Sequence, residues 1–248
     1  MMSNEEYQDG LLLASVSDVG ENHRILCMPN QDAVGYKCLD GDFVLAVSDG
    51  VGSCSMSQRG ANIAVEVCIV AFLRLKKHTL EFKDQTLSGF ILDEWRRNVG
   101  NEASLNDHST TLKVVFKVGS VVKLLSLGDG IVAVSSNGRF QICPIDERRF
   151  VNETKCLGRC TRIEDFWTSD FYLDDHTPYV AFCCTDGIAN SIEMGKEFNV
   201  INDIEKNIKM SDLKKELEDF TIEIGKYSFD DRTIGVVKYN APNKGYDR

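Results

Sequence analysis

Proline is scarce in this sequence, with four in 248 residues, and it never clusters with glycine over a long stretch. No flexible or stiff linker therefore divides the chain. Basic residues never run beyond pairs such as Lys76-Lys77, and the formal net charge is −10. A nucleic-acid-binding surface needs clustered Lys and Arg against phosphate, so that class is excluded. Long apolar runs are missing as well. The N-terminal MMSNEEYQDG is acidic, and the LLLASV that follows is far short of the roughly 20 residues of a membrane span. There is no C-x-x-C. Cys156 and Cys160 come nearest to paired-ligand spacing, and no histidine pair completes a zinc pattern. The nine cysteines are odd in number and irregular in spacing, and Cys68, Cys183 and Cys184 sit in apolar runs as small core residues. Together these features predict a reducing, cytoplasmic location. No internal repeat is visible.

What is present is a globular composition, with 43% hydrophobic and 27% charged residues. A compact chain of this length buries roughly 70–75% of its unfolded surface and needs neither disulfide nor structural metal. Leu11 to Ser17 reads as a strand, followed by a polar loop, DVGENHRILCMPNQD. Val34, Tyr36 and Cys38 alternate up to Asp40-Gly41, and Phe43, Leu45 and Val47 alternate after it, which predicts a hairpin. Ser57–Leu75 and Thr86–Val99 carry the helical period, with Trp95 facing a core. Strands follow at 112–118, around Val122 and Leu124, and at Val132 and Val134 before the hairpin turn Asn137-Gly138. Tyr179–Cys184 is a short apolar strand, Asp212–Ile224 a helix with Ser211 as its cap, and Thr233–Val237 the last strand. The order is not strict βαβ alternation, so the fold class expected is α+β with antiparallel sheets. Residues 144–178 are weakly periodic and predict an irregular surface flap that includes Trp167. His78, His108 and His176 lie in polar surroundings and predict no site role. One domain over residues 1–240 and a loose tail over 241–248 are expected.

Aspartates stand at the ends of the apolar runs. Asp40-Gly41 sits midway in its hairpin, where turn chemistry explains it. Asp49-Gly50, Asp129-Gly130 and Asp186-Gly187 each follow an apolar run: FVLAVS, VVKLLSLG and YVAFCCT. Asp230-Asp231 precedes TIGVVKY, and Asp32 ends the polar loop. Carboxylates held on strand ends make a hard oxygen site suited to Mg²⁺ or Mn²⁺ if they converge, and ordinary solvated turns if they do not. Glycine beside a ligand lets the backbone approach.

Seven segments carry a resemblance. They are PNQDAVG (29–35), FVLAVSDGVGS (43–53), RGANIAVEV (59–67), STTLKVVF (109–116), LLSLGDGIVAV (124–134), VAFCCTDGI (180–188) and DDRTIGVV (230–237). In this order they resemble the metal-dependent Ser/Thr protein phosphatases of type 2C, in particular their short bacterial branch. The resemblance implies two stacked antiparallel β-sheets flanked by helices. It implies that Asp49 bridges two Mn²⁺ or Mg²⁺ ions, that the Gly50 carbonyl binds one, and that Asp186 and Asp230 hold the other. Asp129 would help hold a third, weaker ion, and Asp32 would hydrogen-bond metal-bound water. Asp231 takes a position where the family often has Asn, so Asp230 is the implied ligand. A hydroxide shared by two metals would attack the phosphorus of phosphoserine or phosphothreonine in a protein substrate supplied by a Ser/Thr kinase.

The sequence departs from the family at named positions. Many relatives place a phosphate-clamping arginine five residues before the aspartate matching Asp32; here that residue is Cys27, and Arg24, beside His23, is nearest. Gln31 can orient water but cannot act as a base. Val51 stands where some relatives have a proposed histidine acid, which leaves a metal-bound water or His23 to protonate the leaving group. Gly130-Ile131 replaces a common Ser-Arg pair. Two other readings stay open: a catalytically weak module that binds phosphoproteins, and a hydrolase of small phosphate esters.

Overall fold

In the computed structural model, which describes residues 1–8, 10–101, 104–143, 155–174 and 176–240, each alternating segment becomes a strand. The order is β1 (Met2–Gln8), β2 (Leu11–Asp18), α1 (Glu21–Ile25), β3 (Asp32–Leu39), β4 (Asp42–Asp49), α2 (Ser57–Lys76), α3 (Asp84–Val99), β5 (Leu112–Val118), β6 (Val121–Leu127), β7 (Ile131–Ser136), β8 (Arg139–Ile142), β9 (Trp167–Tyr172), β10 (Tyr179–Cys184), α4 (Asp186–Ala189), α5 (Glu197–Lys206), α6 (Leu213–Ile224) and β11 (Arg232–Tyr239). A six-stranded sheet runs β1-β2-β11-β10-β7-β8 and a five-stranded sheet β3-β4-β5-β6-β9. Every strand pairing is antiparallel.

Three apolar layers hold four structural ones together. Phe43, Leu45 and Val47 of β4 meet Val132, Val134, Ala181 and Cys183 of the other sheet, forming the seam between the sheets. Ala46, Val114 and Phe116 face the opposite way, onto Ala64, Cys68 and Phe72 of α2 and Leu87, Ile91 and Trp95 of α3. Val16, Phe182 and Ile234 face Ile201, Ile204, Leu213 and Leu217 of α5 and α6. The period-2 alternation of a strand supplies both faces at once, which is why the sheets can be buried on both sides. Trp95 is fully buried, and its indole N–H donates to the Gly60 carbonyl at 3.0 Å.

Both predicted hairpin turns form with left-handed backbone at both central residues. Asp40 and Gly41 have φ 52° and 72°, and Asn137 and Gly138 have φ 50° and 79°. This is the turn whose twist matches the flanking strands.

Several expectations need correction. The acidic N-terminus is a strand, β1, on the sheet edge, where Glu5 and Glu6 blunt the exposed rim. The polar loop after β2 contains the short helix α1. Helix α5 adds an element to those expected, with Val200, Ile201 and Ile204 at helical spacing. Strand β9 lies inside the segment expected to be a flap; Trp167 pairs with Ser126 and packs on the seam between sheets. Residues 144–154 of that segment, and the 241–248 tail, lie outside the described residues. Ser211 does not cap α6: its hydroxyl bonds Asp212 Oδ1 within a 3₁₀ turn, Met210–Asp212. His108 is buried, with Nδ1 2.8 Å from the Ser104 carbonyl. No disulfide joins the described cysteines. Among the described residues, no helix is long and apolar enough to cross a membrane.

Candidate metal centre

Antiparallel pairing puts the ends of β4, β6 and β10 and the starts of β3, β5, β7 and β11 at one end of the sandwich. Asp32, first in β3, lies directly opposite Asp49, last in β4. Asp129 sits in the turn from β6 to β7. Asp186 lies two residues after β10 and opens α4, and Asp230 lies two residues before β11.

Hydroxyls from the STT segment fix the backbone of Asp49. The Asp49 carbonyl accepts from the Thr110 hydroxyl at 2.7 Å and from the Thr111 N–H at 2.8 Å, and the Asp49 N–H donates to Thr111 Oγ1 at 3.1 Å. Glycines let the strand ends close up. A Cβ on Gly187 would stand 1.9 Å from the Asp231 carbonyl oxygen, and one on Gly50 would stand 2.8 Å from the Gln31 carbonyl oxygen. Lys113, fully buried on β5, donates to Ser126 Oγ and to the Gly128 carbonyl, both at 2.6 Å, and so steadies the turn that carries Asp129. Burial pushes this amine down to about 8.

Asp49, Asp129 and Asp186 each offer a carboxylate oxygen, and the three oxygens lie within 4.8 Å of one another. They line a cavity of about 220 Å³ together with Asp230, Asp231, His23, Gln31, Thr111 and residues 50–52. No lysine or arginine is among these lining residues. The charge is therefore unbalanced. Burial and then the neighbouring Asp231 raise Asp32 to about 8. Burial, then Asp32, Asp186 and Asp230, hold Asp49 well above the ordinary carboxylate range. Burial, then Asp129 and Asp230, raise Asp186 to about 6. Like charges at this spacing cannot all ionise without a countercharge.

A hard divalent cation fits this donor set. Carboxylate oxygens are its preferred ligands. Two further acceptors, Gln31 Oε1 and Asp32 Oδ1, are buried without a hydrogen-bond partner, and Asp32 Oδ2 accepts from the Thr185 hydroxyl at 2.8 Å.

The other predicted site residues are placed differently from one another. His23 reaches the cavity, and its Nδ1 lies 2.9 Å from Asp231 Oδ2. Arg24 does not line the cavity. Its guanidinium contacts both oxygens of Asp18 at 2.8 Å, and the buried Arg232 holds the same carboxylate at 2.6 Å. The residue that sequence reasoning set aside, Asp231, is 3% exposed and accepts from the backbone N–H of Gly20 at 2.7 Å and of Gln31 at 2.6 Å. Its only sequence signal is a second carboxylate after Asp230. Nothing in the alternation of β5 marked Lys113, because a lysine in a strand reads as a solvent-facing position.

Comparison with known proteins agrees with this architecture. The family described as Protein phosphatase 2C matches residues 19–220. The chain belongs to that family. The match ends before Asp230, which the antiparallel pairing of β11 with β2 and β10 returns to the site. No curated protein matches the chain. Among solved structures, RsbX in complex with magnesium is 14% identical, with a TM-score of 0.65, covering 96% of this chain and 100% of that one. The catalytic domain of the serine/threonine protein phosphatase PstP, in complex with two manganese ions, is 15% identical with a TM-score of 0.60, covering 93% and 98%. Serine/threonine phosphatase Stp1 from Staphylococcus aureus is 15% identical with a TM-score of 0.64, covering 92% and 94%. At these identities the likeness speaks for the fold: two antiparallel sheets with flanking helices.

Proposed function

We propose that this protein is a metal-dependent phosphatase acting on phosphoserine and phosphothreonine in proteins. The observation that carries the reading is the convergence of Asp49, Asp129 and Asp186 on one cavity, in a chain of the Protein phosphatase 2C family. The magnesium and manganese bound by RsbX and PstP make these two metals the first candidates here.

Asp49, Asp186 and Asp230, with the Gly50 carbonyl, would hold two ions, and Asp129 a third. When bound, such ions neutralise the phosphoryl oxygens and acidify the attacking water. Asp32 would orient that water through Oδ1, the oxygen that Thr185 leaves unpaired. Gln31 Oε1, also without a partner, would accept a hydrogen bond from the same water and take no proton. Thr110 and Thr111 keep Asp49 at its place on the strand end. Little covalent chemistry is asked of side chains in phosphoryl transfer, which suits a site without a Cys or Ser nucleophile.

The binding-module reading is disfavoured by the same cavity. A wall of carboxylates with no lysine or arginine repels a phosphate unless cations are present. Phosphate release from a phosphothreonine peptide and from p-nitrophenyl phosphate, measured in EDTA, Mg²⁺ and Mn²⁺, tests the proposal. Activity should require metal, and Asp49→Asn should fall to the EDTA level. Metal-independent activity, or an Asp49→Asn enzyme as active as wild type, would overturn it. Hydrolysis of the small ester alone would point to the third reading.

A further inference from the structure

Apolar side chains stand exposed beside the metal cavity. Ile25, the last residue of α1, is 70% exposed, and Leu26, which caps the helix, is 65% exposed. Single exposed apolar residues are ordinary, but a contiguous apolar patch with a polar rim marks a binding surface. These two residues share one hollow of about 400 Å³ with Met28, Asn22, His23 and Gly52. His23 and Gly52 also line the metal cavity, so the hollow and the cavity have a wall in common.

The backbone holds this hollow in shape. Helix α1 ends in a Schellman turn, with Cys27 at φ 53°, its N–H donating to the Arg24 carbonyl at 3.2 Å, and the Met28 N–H donating to the His23 carbonyl at 2.8 Å. The turn reverses the chain and returns Met28 to the side of His23. At the other end of α1, the Gly20 N–H donates to Asp231 Oδ1 at 2.7 Å and the Asn22 N–H to the Phe229 carbonyl at 3.2 Å, so the helix is seated on the loop that leads into β11. A surface fixed in advance loses little freedom on binding. Arg24, between His23 and Ile25, turns away onto Asp18. Among the described residues, no lysine, arginine or carboxylate lines the hollow. An apolar guest therefore displaces water from Ile25, Leu26 and Met28 with no charge to desolvate, and a cationic guest meets no carboxylate in the hollow.

We propose that this hollow is a substrate subsite, which takes an aliphatic side chain that flanks the phosphorylated serine or threonine in the substrate protein. The inference rests on the phosphatase reading above. An extended chain advances about 3.3 Å per residue, so with the phosphoryl group in the metal cavity a residue about one to three positions away reaches a hollow that shares a wall with that cavity. Ile25, Leu26 and Met28 then act on specificity and leave the chemistry of the phosphoryl group alone. The preferred substrate class is a phosphoprotein with leucine, isoleucine or methionine close to the phosphorylated residue.

Peptide substitution tests this. The substrates are phosphothreonine peptides that differ only in carrying leucine or alanine at one flanking position, up to about three residues on either side. With saturating Mn²⁺, leucine should raise kcat/KM about 10-fold over alanine at one of these positions, the effect of burying one aliphatic side chain. Leu26→Glu should reduce that ratio to less than about 2-fold and make lysine the better residue at the same position, because the new carboxylate repels one guest and attracts the other. Ile25→Ser should weaken the preference without adding charge. Both side chains face solvent, so both variants should unfold at the wild-type midpoint. Hydrolysis of p-nitrophenyl phosphate, which has no flanking chain, should stay within about 2-fold of wild type in each. Leucine and alanine peptides hydrolysed equally at every position, or a Leu26→Glu enzyme with the full leucine preference, would overturn the inference and leave the phosphatase reading standing. A wild type inactive on all the peptides would remove that reading, and the inference with it. Sedimentation tests the competing occupant: a wild-type dimer that Leu26→Glu dissociates would assign the patch to a second copy of this chain and overturn the subsite.

Discussion

Asp18 separates the two arginines near the site by their burial. Arg24 is 44% exposed on its side chain and reaches across the surface to Asp18, whereas Arg232 is 2% exposed and meets the same carboxylate from inside. The Arg24 arm contributes about 1 kcal/mol or less, because water already solvates its guanidinium and Arg232 still pairs the buried Asp18 carboxylate. Cutting a buried pair leaves a desolvated charge, at a cost of about 3 kcal/mol or more. Arg24→Ala should therefore leave kcat/KM within about 3-fold and barely move the unfolding midpoint, while Arg232→Leu should lower stability clearly. Denaturant unfolding of the two variants, with the peptide assay, checks both. A large activity loss in Arg24→Ala with stability intact would mean that the guanidinium leaves Asp18 to meet the phosphate.

The site is assembled by elements closing on one another without side chains between them. Gly187, in α4, faces the Asp231 carbonyl with no room for a methyl group, and the contact sets how near Asp186 comes to Asp230. Gly187→Ala should push α4 away from the entry to β11, weakening Mn²⁺ affinity and activity together. Gly41→Ala, where a Cβ would meet nothing within 4 Å, should strain only its turn and leave metal affinity unchanged. Equal Mn²⁺ affinity in Gly187→Ala and wild type would refute this packing role. Much of this level was legible in the sequence. Alternation gave the hairpin β3–β4 and its turn, and the apolar runs ending in Asp49, Asp129 and Asp186 marked the strand ends that meet. Less was legible where local pattern carries no spatial information. The charges of β1 conceal a strand because an edge needs little burial. Lys113 and Asp231 are polar residues buried by their partners, and those partners are distant in sequence. Arg24 pairs with Asp18, six positions before it, a competition for the guanidinium that motif spacing alone does not reveal.

At the scale of the whole molecule, the carboxylates gathered without a lysine or arginine in one cavity make stability depend on pH and metal. Asp32, at about 8, and Asp186, at about 6, hold protons in the folded protein at pH values where the unfolded chain, with an ordinary aspartate value of 3.8, has lost them. Between those limits the native state binds more protons than the unfolded one, so stability falls as pH rises. Thermal melts of metal-free protein should therefore show a higher midpoint near pH 5 than near pH 8. Mn²⁺ should restore stability most at the higher pH, since a ligand that binds only the folded state stabilises it by mass action. A metal-free protein that gains stability steadily over this interval would contradict the charge balance described. The most direct test of the metal centre is calorimetric titration of Mn²⁺ into wild type and Asp49→Asn, with folding of each verified. The proposed two-metal reading predicts at least two ions per wild-type chain and a marked loss of binding in the variant. Wild-type protein that takes up no Mn²⁺, or a variant that binds as wild type does, would contradict the account.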